Sequence, residues 1–151
     1  MGQQRKGLQG AARLGGRDLH GWRVTALDFD DQYMKQLADD ALWSKFESVP
    51  DVKKCGPTLF KGEIELSEDC KTDYFVNTEK WGKGLVFVNG FNLGRYWDVG
   101  PTKTLYLPAP LLKKGVNEIM VFEEYKASDA VVFDIEPDLG PLKKKIEKPK
   151  L

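Results

Sequence analysis

Histidine occurs once in this 151-residue chain, cysteine twice, and no run of apolar residues is long. Each scarcity excludes something. A membrane-spanning helix needs about 20 consecutive apolar residues, and runs such as Val86-Phe87-Val88 fall far short, so no membrane insertion is expected. With one histidine and no paired Cys-x-x-Cys, a zinc site lacks its ligands. Cys55 and Cys70 flank a strand expected over 58–66, whose ends would lie roughly 30 Å apart. A disulfide requires Cα atoms within about 7 Å, so no internal bridge is expected. Net charge is lacking too: 23 Lys and Arg balance 23 Asp and Glu, leaving no global field to draw in nucleic acid. Behind Met1-Gly2-Gln3-Gln4-Arg5-Lys6 no apolar segment follows, which predicts no signal peptide.

Chemistry-bearing motifs are equally sparse. There is no Gly-x-Ser-x-Gly elbow and no Cys–His pair to serve a nucleophile. No Gly-Lys-Ser/Thr follows the glycines, and Gly82, Gly84, Gly90 and Gly94 are spaced for turns. Glycoside hydrolysis requires two carboxylates facing across a cleft. Glu63 and Glu65 share one strand face and Glu123 and Glu124 end another, all four expected in water. Asp28, Asp30 and Asp31 lack calcium-loop spacing, and helix capping accounts for two of them. His20 falls in a polar turn. Neither a catalytic residue, a metal nor a cofactor is expected.

What the chain does have is short alternating runs broken by Gly, Pro, Asn and Asp. A first pair, 6–14 and 22–27, brackets Gly15-Gly16; in the second, Trp22, Val24 and Ala26 share one face. Later runs cover 58–66, 73–77, 85–88, 104–107, 117–122 and 130–135. About eight strands at this spacing predict an all-β fold, an antiparallel β-sandwich or jelly roll. Asn89-Gly90 supplies the positive φ angles of a type I′ hairpin turn. One segment departs from the pattern. Over 31–46, Met34, Leu37, Ala38, Ala41, Leu42 and Phe46 recur at three- and four-residue steps, which predicts an inserted helix. Asp30 or Asp31 caps it, Pro50 ends it, and its apolar stripe is expected to join the core at an open end of the sandwich. The domain is expected over 1–140. Residues 141–151 hold five lysines and one glutamate and read as a charged tail.

Trp81, Phe87, Phe91, Tyr96, Trp97 and Tyr106 crowd among glycines with Arg95 between. Rings beside polar donors suit a sugar face, and rings after tight turns equally suit the end of a sandwich. Residue types alone leave both readings open.

The stretch VNGFNLGRYWDVGPTKTLYLPAPLLKKGVNEIMVFE resembles the C-terminal region of glycoside hydrolase family 35 β-galactosidases, nearest the β-galactosidase-1-like group. The resemblance extends upstream through RKGLQGAARLGGRDLHGWRVTALDFD and PTLFKGEIEL, and downstream to Asp138-Leu139-Gly140. It implies a galactose-binding-like jelly roll packed beside a catalytic barrel. That barrel takes about 250 residues, and nothing here matches its motifs, so no catalytic residue carries over and the chain is expected not to be an enzyme. The resemblance marks Asn89, Gly90 and Gly94 as structural turn residues. It places Trp81, Phe91, Arg95, Tyr96 and Trp97 near an interdomain surface, with weak contact to galactosides as the further expectation. A glycosidase barrel or a larger complex is the expected partner. Two functions stay open: an accessory module of a β-galactosidase-like protein, or a stand-alone domain serving as a subunit of a larger assembly. The resemblance implies a lysosomal or secreted setting. The missing signal peptide and Asn-x-Ser/Thr sequon point instead to an intracellular or organellar subunit.

Overall fold

The computed structural model describes residues 10–23, 29–40 and 43–141. Its main body is two antiparallel sheets. β3 (Thr58–Leu66), β8 (Gly115–Glu123), β5 (Lys83–Val88) and β6 (Phe91–Trp97) form one, in the order β3-β8-β5-β6. β7 (Thr104–Leu107), β4 (Tyr74–Asn77) and β9 (Val132–Asp134) form the other. Alternation explains the layering. Val86 and Val88 on β5, and Ile119 and Val121 on β8, face inward onto Val76 of β4 and Leu107 of β7. The opposite face presents Phe87 and Met120. Both faces of this sheet are therefore apolar at its centre, which one layer of strands cannot cover.

The inserted helix covers the second face. α1 (Asp31–Asp40) buries Met34 against Phe87 and Met120, with Phe29, Leu37 and Leu59 around them. Each such fully buried side chain contributes roughly 1.5–3 kcal/mol. So the helix joins the core as expected, but over the outer sheet face and not at an open end. Asp30 is the cap, accepting the Tyr33 N–H at 2.7 Å.

The helix is shorter than its periodicity predicts, since residues 43–46 are not helical. The Trp43 indole N–H bonds the Ala38 carbonyl at 2.9 Å, satisfying one of the acceptors that a helix end leaves free. Phe46 then turns onto Phe60 of β3, ring centroids 5.9 Å apart. Ala41 and Leu42 lie outside the described residues. A four-residue α2 (Val52–Cys55) follows.

At the start, β1 (Arg13–Leu14) pairs with β2 (Arg17–Asp18) around Gly15 and Gly16, both at positive φ. The hairpin thus closes at once, between β1 and β2; residues 24–28, which hold most of the run beginning at Trp22, lie outside the described residues. Cys55 and Cys70 are free thiols. Asp138 ties the chain end to β7, its carbonyl accepting the Lys103 and Thr104 N–H groups at 3.0 and 3.2 Å.

Candidate interaction surface

The β5–β6 hairpin positions most of the aromatic cluster. Asn89 (φ 50°) and Gly90 (φ 83°) form the two-residue turn, and Val88 pairs with Phe91 across it. Asn89 does more than turn the chain. Its side-chain amide donates to Leu111 O at 2.7 Å and to Asn117 Oδ1 at 2.9 Å, and its Oδ1 accepts the Glu118 N–H at 3.0 Å. The hairpin tip is thereby clasped to the start of β8.

Along β6 the register shifts by one residue between Val86 and Phe87, a β-bulge at Leu93-Gly94 with Gly94 at φ 122°. Past the bulge, side chains alternate again. Tyr96 points inward and is 3% exposed, whereas Arg95 and Trp97 point out. The Arg95 guanidinium lies 5.5 Å from the Trp97 ring centre and the Lys83 ammonium 5.4 Å from it, within cation–π range. Lys83 also pairs with Glu124 at 2.6 Å. Trp97 stays 40% exposed and Phe91 48%. Of the five residues expected at a surface, three are therefore there. Trp81, 4% exposed, is not: its ring packs edge-on against Phe60 and its indole N–H bonds Ala130 O at 3.2 Å. Trp81 and Tyr96 fill the space between the sheets, so neither presents its ring on the β6 surface.

Behind this surface lies a carboxylate that the sequence reading places in water. Glu123 is 0% exposed. It accepts from the backbone N–H groups of Gly82 (2.9 Å), Lys83 (3.1 Å), Tyr125 (2.8 Å) and Lys126 (3.0 Å), and from the Tyr96 hydroxyl (2.7 Å). Five donors offset the desolvation that makes a bare buried carboxylate so costly. Burial, then the Glu123 hydrogen bond, pushes the Tyr96 hydroxyl far above its ordinary range, so it remains a donor. The signal was the alternation itself: Asn117, Ile119, Val121 and Glu123 share the inner face. Gly82 and Gly84 are not turn glycines either. A Cβ on Gly84 would lie 1.7 Å from Phe122 O, and one on Gly82 would lie 2.8 Å from Glu123 Oε1. They are glycines because the network leaves no room.

The opposite side of the sandwich is open. Between β3 and the 128–133 segment runs a groove of about 220 Å³ with Phe60, Ile64, Trp81 and Phe133 on its walls. It continues into a wider mouth at Trp43, Phe46 and Glu63. Gly62, exposed on β3, lines both, and a Cβ there would meet nothing within 4 Å. Lys61 bonds Glu118 at 2.5 Å, which holds its ammonium above the ordinary lysine value, and it lies 5.6 Å from the Trp43 ring centre.

Residues 57–117, from the start of β3 into β8, match the family described as "Beta-galactosidase, galactose-binding domain". Human "Beta-galactosidase-1-like protein 2" is 42% identical over 137 residues, 91% of this chain and 21% of that protein. The chain belongs to the β-galactosidase galactose-binding domain family. "Beta-galactosidase 17" of Arabidopsis thaliana is 41% identical over 131 residues, 78% of this chain and 18% of that protein. Bovine "Beta-galactosidase" is 34% identical over 128 residues, again 78% of this chain and 20% of that protein. The chain thus spans about a fifth of the length of these curated relatives. The family region takes in the β5–β6 hairpin and the β3 wall of the groove, while the wall at 128–133 lies beyond it.

Proposed function

We propose that this chain is a non-catalytic module of a β-galactosidase-like protein, and that it packs against another domain or subunit through the exposed edge strand β6. One observation carries this reading. On an edge strand, Trp97 stays 40% exposed beside Arg95, with Phe91 48% exposed at the hairpin tip of the same strand, and Arg95 forms no ion pair among the described residues. Such a combination is typical of interface centres, where aromatic rings bury area and Arg pairs with carboxylates bidentately. The knot behind it supports the same reading, because Glu123 and Tyr96 fix β6 rigidly and a preorganised face loses little entropy on docking.

Immunodetection of the native protein after size exclusion tests this. The expected result is a species well above the 17.1 kDa of this chain, either one longer polypeptide or a complex; elution as a free 17.1 kDa monomer overturns it. The double variant Phe91→Ser, Trp97→Ser is expected to weaken that association while unfolding cooperatively. Galactose-induced chemical shifts centred on Trp97 and Arg95 would replace docking by a lectin-like role at this face.

A further inference from the structure

The geometry points to the notch beside Arg95 as a seat for one carboxylate, a Glu or Asp side chain of the surface that packs on β6. The inference rests on the docking proposed above and names the chemistry of its partner. The notch lies where β6 meets the 100–105 segment. It holds about 200 Å³ and is walled by Arg95, Trp97, Gly100, Pro101, Thr102 and Leu105. Strand alternation decides which backbone groups face it. The Asp98 N–H bonds Gly82 O at 2.7 Å, so the backbone groups of Tyr96 also turn towards β5, and those of Arg95 and Trp97 turn away. β6 ends the sheet order, so no further strand meets them. The Trp97 carbonyl is taken up by the Gly100 N–H at 2.9 Å. The edge is left with two N–H donors, those of Arg95 and Trp97, against one carbonyl, that of Arg95. With the guanidinium added, donors dominate.

Docking makes the missing acceptor a requirement. The Arg95 guanidinium lies 5.5 Å from the Trp97 ring centre, so a surface that covers this ring covers the cation too. A covered cation is stable only when a counter-charge and hydrogen bonds replace its water. The nearby carboxylates are already engaged: Glu124 pairs with Lys83 at 2.6 Å, and Asp98 accepts from the Tyr125 hydroxyl. Arg95 itself forms no ion pair among the described residues. The counter-charge therefore arrives with the partner. A carboxylate suits the site because its two oxygens match the guanidinium fork and take two parallel bonds. The volume sets the size. About 200 Å³ lies below the ~300–1,000 Å³ of pockets that hold whole ligands, which suits a single acidic side chain. A polyphosphate strand would instead carry further charges up against Asp98, next to Trp97, where they repel.

Carbodiimide cross-linking of the native protein carrying Arg95→Lys tests the seat, because the reagent joins an amine and a carboxylate in contact as an amide with loss of water. Peptide mapping by mass spectrometry should find position 95 joined to a Glu or Asp outside residues 1–151, in a longer polypeptide or in a second chain. Arg95→Glu should keep the circular dichroism of the parent. It should weaken a complex about tenfold or more or, within one longer polypeptide, raise amide hydrogen exchange along 91–97 by a similar factor. Arg95→Gln, which keeps donors and loses the charge, should fall between the two. The pair Phe91→Ser, Trp97→Ser reads docking alone. If that pair loosens the assembly and Arg95→Glu does not, docking stands and the carboxylate seat falls. A free 17.1 kDa monomer brings down both. The inference is also overturned if position 95 gives no cross-link, or is joined only to Asp98 or Glu124 of its own domain.

Discussion

Gly84 and Gly62 sit inside strands of one sheet, and they are glycines for opposite reasons. At Gly84 a methyl group would collide with the Phe122 carbonyl at 1.7 Å; at Gly62 it would touch nothing. The first belongs to the β5–β6 side, where Tyr96, Glu123 and the 82–83 backbone interlock and no space remains. The second belongs to the β3 side, where the sheets part and a groove opens. The same residue type thus reports a full interior in one place and a vacant one in the other. Closed regions hold shape; open ones leave room for a side chain.

Removing the carboxylate is the harshest way to break the closed side. Glu123→Ala leaves four backbone N–H groups and a phenol without their common acceptor, and should cost about 3–5 kcal/mol in urea unfolding. Gly84→Ala should cost roughly 3 kcal/mol, near the top of the range for overpacking, because the obstacle is backbone and cannot rotate away. A loss under 1 kcal/mol would show that the strand pair yields.

Tyr96→Phe should cost about 1.5–3 kcal/mol, as expected for a hydrogen bond to a carboxylate. It should also change the alkaline limb. The folded-state value of Tyr96 is raised, so its contribution is complete below the ordinary tyrosine value of 10.0. Above that pH an unfolded chain releases the proton and the folded one keeps it, so stability falls by up to about 1.4 kcal/mol per pH unit. The hydroxyls of Tyr106, bonded to Asp73, and Tyr125, bonded to Asp98, are shifted the same way. The Phe variant should therefore flatten the alkaline slope without abolishing it, as read from urea midpoints between pH 8 and pH 11.

On the open side the expected effects are small and reversed in sign. Gly62→Ala should stabilise by about 0.4–1 kcal/mol, since it restricts the unfolded chain and meets no obstacle in the folded one. Destabilisation there would mean that the groove closes in solution. On the outer surface of the closed side, Trp97→Ser in the isolated chain should stay within about 0.5 kcal/mol, the usual range for an exposed position.

Strand alternation and turn chemistry made much of this fold legible. β3 and β7 have the bounds that their sequence runs predict, and Asn89-Gly90 turns where its φ preference says it should. β6 did not announce itself, because the bulge at Leu93-Gly94 breaks the period-two pattern that would identify a strand. The helix end was obscured because Trp43 and Phe46 continue a helical spacing while their side chains bind Ala38 and Phe60 instead. Glu123 and Gly62 were hidden for a deeper reason. Periodicity tells which way a side chain points, and not whether five donors or an empty groove waits there.

The strand order carries a consequence for synthesis. β8 lies between β3 and β5, yet it is the last of these three in the chain. While a nascent polypeptide still lacks residues 115–123, β3 has no neighbour, and β5 has only the β6 hairpin partner. Thr58 must wait for Glu123, its register partner, so the sheet closes through contacts far apart in sequence, which slows folding. Until then Phe60 and Ile64 on unpaired β3, and Phe87 and Val88 on the open edge of β5, remain uncovered, where they can engage neighbouring chains. A stop codon upstream of Gly115 would leave β3 with no strand to pair with and cut it off from the β5–β6 hairpin.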